Sequence, residues 1–180
     1  MRSSLVRVSI LGVGLLTLTA CASAANPTMM SLTVPTASAS PVSDGHPVFH
    51  QVGVASVQGG AQTNPAWISE VSNEDFQRAL EMSLRAFNYL VPDGAVGKYK
   101  VTASITDVQK PLMGFDMSVT MKVRYSVMDG STAAFDDTIA TTGTAAMGEA
   151  FAGADRVRIA IEKAAKLNIE AFLGRLAALK

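Results

Sequence analysis

The stretch FDMSVTMKVRYSVMDG, residues 115–130, decides the fold because apolar and polar residues alternate from Phe115 to Val127. Side chains two positions apart on a β-strand share one face. The pattern therefore predicts an antiparallel strand with one face on a core and the other on water. Asp129-Gly130 follows it, and this dipeptide is a strong β-hairpin signal.

The segments around this stretch predict three more strands. Residues 134–147 form the returning strand of the hairpin, with a weaker alternation, and residues 99–106 form the strand before it. Val-rich residues 48–57 carry apolar side chains on both faces, which favours a central position in the sheet. The sequence therefore supplies four strands.

Two stretches have helical spacing. Residues 73–91 follow Ser72, a suitable N-cap, and have two acidic residues in the first turn. Residues 155–179 carry a second apolar stripe, widened by alanines that allow close approach to a sheet, and Asn168 within it has a predicted structural role. The stripes are Phe76, Leu80, Leu84, Phe87 and Val91 in the first helix, and Val157, Ile161, Ala165, Phe172 and Leu176 in the second, with Ala160, Ala164 and Ala171 beside them.

The order of elements is strand, helix, three strands, helix (β-α-β-β-β-α). Two helices on one face of a four-stranded, mostly antiparallel sheet make a two-layer α+β sandwich. Residues 46–180 are predicted to form this single domain. Residues 21–45 are rich in Ala, Ser, Thr and Pro and lack charges before Asp44, so they predict a flexible tether.

Residues 1–20 have the layout of a secretory signal, with Arg2 and Arg7 before an apolar run that is too short to span a bilayer comfortably. The next feature is the tetrapeptide at residues 18–21, which consists of Leu, a small hydroxyl residue, Ala and Cys. It resembles the lipobox of bacterial lipoproteins at all four positions. The lipobox residues are Leu18, Thr19, Ala20 and Cys21.

This resemblance implies cleavage between Ala20 and Cys21, with a diacylglyceryl group on the Cys21 sulfur and an acyl chain on its new amino group. Two or three chains hold a protein stably on a membrane, whereas one holds it marginally. Ala22, in place of Asp, implies the outer membrane with the domain in the periplasm; the periplasmic face of the inner membrane is the alternative. The other alternative is an ordinary cut near Ala22-Ser23-Ala24, which leaves a soluble periplasmic protein.

Charge and composition exclude two classes of partner or cofactor. The formal net charge is zero, and it is −2 without the two arginines of the signal. A nearly neutral chain has no general electrostatic attraction to nucleic acid. Cys21 is the only cysteine, which excludes an intramolecular disulfide and a thiolate metal cluster. No cofactor is expected beyond the covalent lipid on Cys21.

The sequence lacks a catalytic constellation, and we expect no enzyme activity and no metal site. His46 and His50 would lie about 13 Å apart on a strand, too far to share a metal. Asp136-Asp137 would point to opposite faces of a strand. The basic flank of the last helix, which consists of Arg156, Arg158, Lys163 and Lys166, is expected to be a solvated face, with contact to anionic lipid headgroups as the alternative.

Trp67 is the only tryptophan, and it lies in a polar loop. An aromatic residue in a loop can anchor a partner. The alternative is that Trp67 closes one end of the core. It is the candidate contact residue of the domain.

The lipobox, the Pro/Ser/Ala-rich segment and the element order together resemble small periplasmic lipoproteins. These include the lipopolysaccharide-assembly lipoprotein and the auxiliary lipoproteins of lipid-transport systems. The resemblance implies a non-enzymatic accessory protein that binds an envelope protein, a lipid or a glycolipid. A self-associating structural lipoprotein, pairing through the strand of residues 115–127 as a sheet edge, is the alternative, and an enzyme of unknown class is the second alternative.

Overall fold

The computed structural model describes residues 22–64, 68–111 and 114–179 of the 180-residue chain. A short helix precedes the strands and is followed by the predicted order of elements. The elements are α1 (Pro27–Met30), β1 (Val52–Gln58), α2 (Asn73–Ala86), β2 (Tyr99–Gln109), β3 (Met117–Asp129), β4 (Thr132–Ala145), a 3-10 turn (Met147–Glu149) and α3 (Gly153–Ala177).

The four strands form one open sheet in the order β1-β2-β3-β4. β1 runs parallel to β2, and the other two pairs are antiparallel. The predicted α+β class and its mostly antiparallel four-stranded sheet are therefore confirmed. β3 pairs with strands on both sides, so the proposed edge role of residues 115–127 is wrong.

β1 lies at an edge of the sheet, and the central position predicted for it is wrong. A register shift between Val54 and Ser56 explains the misleading pattern. Because such a bulge moves later side chains to the other face, Val52 and Val57 are both buried although five positions separate them. The apolar residues on both apparent faces of this segment therefore do not indicate burial on both sides.

The core lies between the sheet and the two long helices. The inward residues of β3 are fully buried, as the alternation predicts, and Tyr125 stacks on Phe172 of α3 at 4.0 Å between ring centroids. α3 approaches β4 so closely that a Cβ at Gly143 would lie 2.3 Å from the backbone of Ala160 and Ala164. The small residues of α3 therefore allow the predicted close packing on the sheet.

Helix α2 begins as predicted and ends earlier. The Ser72 hydroxyl accepts a hydrogen bond from the Asp75 amide at 3.0 Å, which confirms the N-cap. The helix ends at Ala86 and not at residue 91, because Asn88 adopts φ 63°, in the left-handed region. Leu90 then pairs with Val52 beside β1.

Residues 22–45, predicted as a flexible tether, are packed on the domain instead. α1 contacts both α2 and α3, and Met30 and Leu32 are fully buried. The composition is misleading because few large apolar residues are needed when each one finds a space between two helices. Pro27 does not interrupt the helix: it occupies the first turn of α1, behind Asn26 as N-cap.

The backbone of this segment also has hydrogen-bond partners on the domain. The Leu32 amide donates to the buried Ser83 hydroxyl at 2.9 Å, and the Val42 amide donates to the Phe87 carbonyl at 3.1 Å. The Asn88 side chain donates to the Val42 carbonyl at 3.0 Å. Buried backbone groups need such partners, so the segment is an integral part of the fold.

Asn168 has the structural role that was predicted for it. It is fully buried on α3 and accepts a hydrogen bond from the Tyr125 hydroxyl at 2.9 Å. Its amide nitrogen donates to the Ile139 carbonyl at 2.9 Å. These bonds join α3 to β3 and β4 within an apolar core.

Candidate functional site

Large apolar side chains are exposed on two adjoining loops at one end of the sheet. Phe115, in the loop between β2 and β3, is 78% exposed. Met147 and Phe151, between β4 and α3, are 60% and 106% exposed. We call these three residues the apolar end. Single exposed apolar residues are ordinary on protein surfaces, whereas several on neighbouring loops mark an interaction surface.

Hydrogen bonds hold the two loops together. The Met147 amide donates to the Asp116 carboxylate at 3.1 Å. The Arg156 guanidinium donates to the Phe115 carbonyl at 2.6 Å. The first bond joins the two loops, and the second joins the loop of Phe115 to the first turn of α3, so both loops lie side by side at this end of the sheet.

Two lysines beside the apolar end are paired with carboxylates of the protein. Lys163 contacts the Glu149 carboxylate at 2.7 Å, and Lys110 forms an ion pair with Glu70. The hydrogen bond from Lys163, assisted by the Ala146 amide, lowers the pKa of Glu149 below its ordinary value. These lysine charges are matched internally, whereas Asp116 and Arg156 are bonded to backbone groups of the same loops and helix start.

The N-terminal segment reaches the same end of the molecule. Its residues follow α2 in reverse order: Val42 bonds to Phe87 after the helix, Leu32 bonds to Ser83 within it, and Ala25 bonds to Glu70 before it. Ala22 is therefore at the end where α2 starts.

This end of α2 is also the end with the apolar loops. The carboxyl end of β1 leads into α2, and β1 is parallel to β2, so α2 begins where β2 ends. Glu70 pairs with Lys110, the residue that directly follows β2. Asn26 also donates to Glu162, two turns into α3, at 2.9 Å. The segment thus enters the fold beside the loops that carry the apolar end.

The residues predicted as a site are outside the described part of the chain. These are the cleavage and lipidation positions Ala20 and Cys21, and the candidate contact residue Trp67. Asn64 and Ile68, which flank the Trp67 segment, form an isolated β-bridge. The lipobox prediction thus remains a prediction from the sequence.

The other chemically suggestive residues are separated in the structure. His46 contacts the Ala177 carbonyl at 3.2 Å, and His50 contacts the Leu90 carbonyl at 3.1 Å. The Arg124 guanidinium donates a bidentate pair of hydrogen bonds to the Asp136 carboxylate, which lowers the pKa of that carboxyl. Among the described residues, no group of three His, Cys, Asp or Glu side chains is placed to hold a metal ion.

The basic flank predicted on α3 is largely engaged in internal contacts. Arg158 pairs with Glu162 at 2.8 Å, Lys163 with Glu149, and Arg156 with a backbone carbonyl. Within residues 22–64, 68–111 and 114–179, every helix is too short or too polar to cross a membrane.

The apolar end was not predicted from the sequence. The alternation pattern extends to Phe115, and the returning strand was predicted to reach Met147, so both residues were placed on the core side of strands. Both fall just beyond the observed strands β3 and β4. Phe151 lies among Gly and Ala outside either helical stripe, and this isolation is the signal that could have marked it as a surface residue.

Comparison with known proteins identifies the fold and gives no family. No protein-family model matches the sequence. No curated protein matches it either.

Solved structures share the architecture at low sequence identity. A Xanthomonas campestris protein of the family DUF330 has 13% identity and a TM-score of 0.56, covering 79% of this chain and 92% of that one. A hypothetical protein from Chlamydia trachomatis has 10% identity and a TM-score of 0.52, covering 71% and 95%. A candidate lipoprotein from Caulobacter crescentus has 14% identity and a TM-score of 0.47, covering 72% and 89%. At such identities, the first two likenesses show a shared fold and leave function open.

Proposed function

We propose that this protein is a lipid-anchored, non-enzymatic accessory protein of the bacterial envelope, which binds an envelope protein or lipid through the apolar end. In this proposal Cys21 carries the acyl chains, the anchor lies in the outer membrane, and the domain lies in the periplasm. The lipobox supports the anchor, and the domain has the small α+β fold expected of such proteins.

The exposure of Phe115, Met147 and Phe151 carries the proposal. Transfer of one Phe or Met side chain from water to an apolar environment is worth about 1.5–3 kcal/mol. The two loops leave that free energy unused in the isolated domain, and they bring three exposed large side chains to one end of the sheet. A partner that covers this surface recovers it.

Two measurements in cells test the proposal. The first is metabolic labelling with an acyl-chain analogue, which should label the native protein and leave Cys21→Ala unlabelled. The second replaces Phe151 with a photo-crosslinking amino acid and identifies the captured molecules by mass spectrometry. Val96, which is 86% exposed, is the matched control at another surface.

We expect acyl labelling that depends on Cys21, and capture of an envelope protein or lipid at residue 151 but not at residue 96. Labelling that persists in Cys21→Ala would exclude the anchor. Equal capture at both positions would remove the special role of the apolar end.

A further inference from the structure

We infer that the apolar end inserts into the surface of the same membrane that holds the lipid on Cys21, so that the domain lies directly on the bilayer. This inference rests on the proposed lipid anchor and specifies the molecule that the apolar end contacts. The partner is the lipid interface itself, with the loops after β2 and β4 turned towards it.

The first argument is the short distance between the anchor and the domain. Cys21 is bonded to Ala22, which is 6% exposed, and Ala25 is 2% exposed. Consecutive Cα atoms are about 3.8 Å apart. Because the segment after Cys21 is packed on the helices, no slack remains to hold the domain away from the membrane.

The second argument is the position at which the anchored segment enters the fold. The Ala25 amide bonds to the Glu70 carbonyl just before α2, and the Asn26 amide bonds to the Glu162 carboxylate two turns into α3, so the segment enters in the half of the molecule where both long helices begin. Phe115 and Phe151 belong to the loops at that same end. An anchor at Cys21 therefore brings the apolar end, and not the opposite end, to the membrane.

The third argument is the chemistry of the two ends. At the apolar end, Lys110 and Lys163 are neutralised by carboxylates of the protein. The opposite end carries Val96 beside Asp93 and Lys98, whose charges are also paired, with Arg85 and Asp129, so the two ends differ in the number of exposed large apolar side chains. Exposed apolar side chains insert among lipids by the hydrophobic effect, so docking should depend little on salt or on anionic lipid.

Attachment and insertion reinforce each other. An acyl-anchored domain is confined near the bilayer, and a weak contact then behaves as an intramolecular one at high effective concentration. Three side chains that would not hold a free protein on a membrane can therefore keep an anchored one in a fixed orientation. The exposed sheet face and the opposite end then remain available in the periplasm.

The test uses the full-length acylated protein, purified and reconstituted at low density into vesicles of phosphatidylethanolamine and phosphatidylglycerol. Cys21 is the only native cysteine, and lipidation blocks its sulfur, so Phe151→Cys introduces one free thiol. That thiol is labelled with a fluorophore sensitive to polarity, and quenching by spin-labelled lipids is measured. Val96→Cys, also highly exposed, is the matched control.

We expect a blue-shifted, several-fold brighter label at residue 151 that spin-labelled lipids quench, and a label at residue 96 that reports water. The signal should persist in about 0.5 M salt, which screens interactions between surface charges. The substitution Phe115→Ser should reduce the signal. A blue shift without lipid quenching would indicate a protein contact and overturn the inference.

Mass spectrometry of the same preparation separates the two proposals. If Cys21 is acylated but the label at residue 151 reports water, the docking inference is wrong while the lipoprotein proposal stands. If Cys21 carries no acyl chain, the lipoprotein proposal fails and the docking inference fails with it.

Discussion

The N-terminal segment and the apolar end differ in how they place their large apolar residues, although Met29 and Val34 of the segment are exposed as well. Residues 22–45 have the composition of a linker, yet Met30 and Leu32 are fully buried. The loops beside β3 and β4 adjoin a well-packed sheet, yet Phe115 and Phe151 face solvent. The difference shows that exposure in this protein does not result from a shortage of interior space.

The contrast makes the apolar end the candidate interaction surface of the proposed function. A chain that fills the space between α2 and α3 with a segment of small residues has the capacity to cover apolar groups. Its loops leave three large ones uncovered at the end where the N-terminal segment enters. Exposed groups that the fold does not cover there are available to a partner.

Replacing Leu32 with Ala is the strongest way to break this comparison. Leu32 is 1% exposed between the helices, so the truncation should lower the free energy of unfolding by about 2–5 kcal/mol. Urea unfolding followed by far-ultraviolet circular dichroism measures the change. Val34→Ala is the matched control, because Val34 is 63% exposed and its loss should cost under about 0.5 kcal/mol. Equal stability of the two variants would contradict the packing of residues 22–45 and support the prediction of a flexible tether.

Most of the fold could be predicted from the sequence because its signals are local. The alternation in β3, the N-cap Ser72 and the small residues of α3 each correspond to an observed contact. The packing of residues 22–45 could not be predicted, because it depends on a space between two helices that are distant in sequence. The edge position of β1 was hidden by its bulge.

The candidate site was harder to predict than the fold. A site made of three apolar residues has no spacing or chemistry that distinguishes it from a core. Phe115 continues a strand pattern, and only the observed start of β3 at Met117 leaves it outside. The predicted contact residue Trp67 lies outside the described residues and stays a prediction.

The substitution Asn168→Ala tests whether the packing of the core also depends on polar contacts. The change leaves the Tyr125 hydroxyl without its acceptor and the Ile139 carbonyl without the amide donor. An unsatisfied buried group costs about 1–3 kcal/mol, and the loss should appear in the urea midpoint. The neighbouring Leu167→Ala is the control, because Leu167 is 43% exposed. A loss no larger than that of the control would argue against the network.

Alkaline pH should weaken the buried core through its tyrosines. Burial raises the pKa of Tyr125 well above its ordinary value of 10.0, and burial also raises the pKa of Tyr89. The unfolded chain loses the Tyr125 proton first, so the contribution of Tyr125 to stability is complete below about pH 10 and falls above it, by up to about 1.4 kcal/mol per pH unit. Unfolding measured between pH 9 and 11, at values bracketing that pKa, should show a shallower decline in Tyr125→Phe. Identical declines would show that Tyr125 does not contribute.

Phe151→Ser should have the smallest effect on stability and is the sharpest test of the exposed side. Phe151 is fully exposed in the isolated protein, at 106% of the reference area. Its replacement should therefore change the free energy of unfolding by no more than about 0.5 kcal/mol. In detergent-free buffer the same change should reduce aggregation, because less apolar surface remains exposed. A residue that is dispensable for folding but required for insertion would separate function from stability. A loss comparable to that of Leu32→Ala would instead place Phe151 in the core and remove the apolar end as a site.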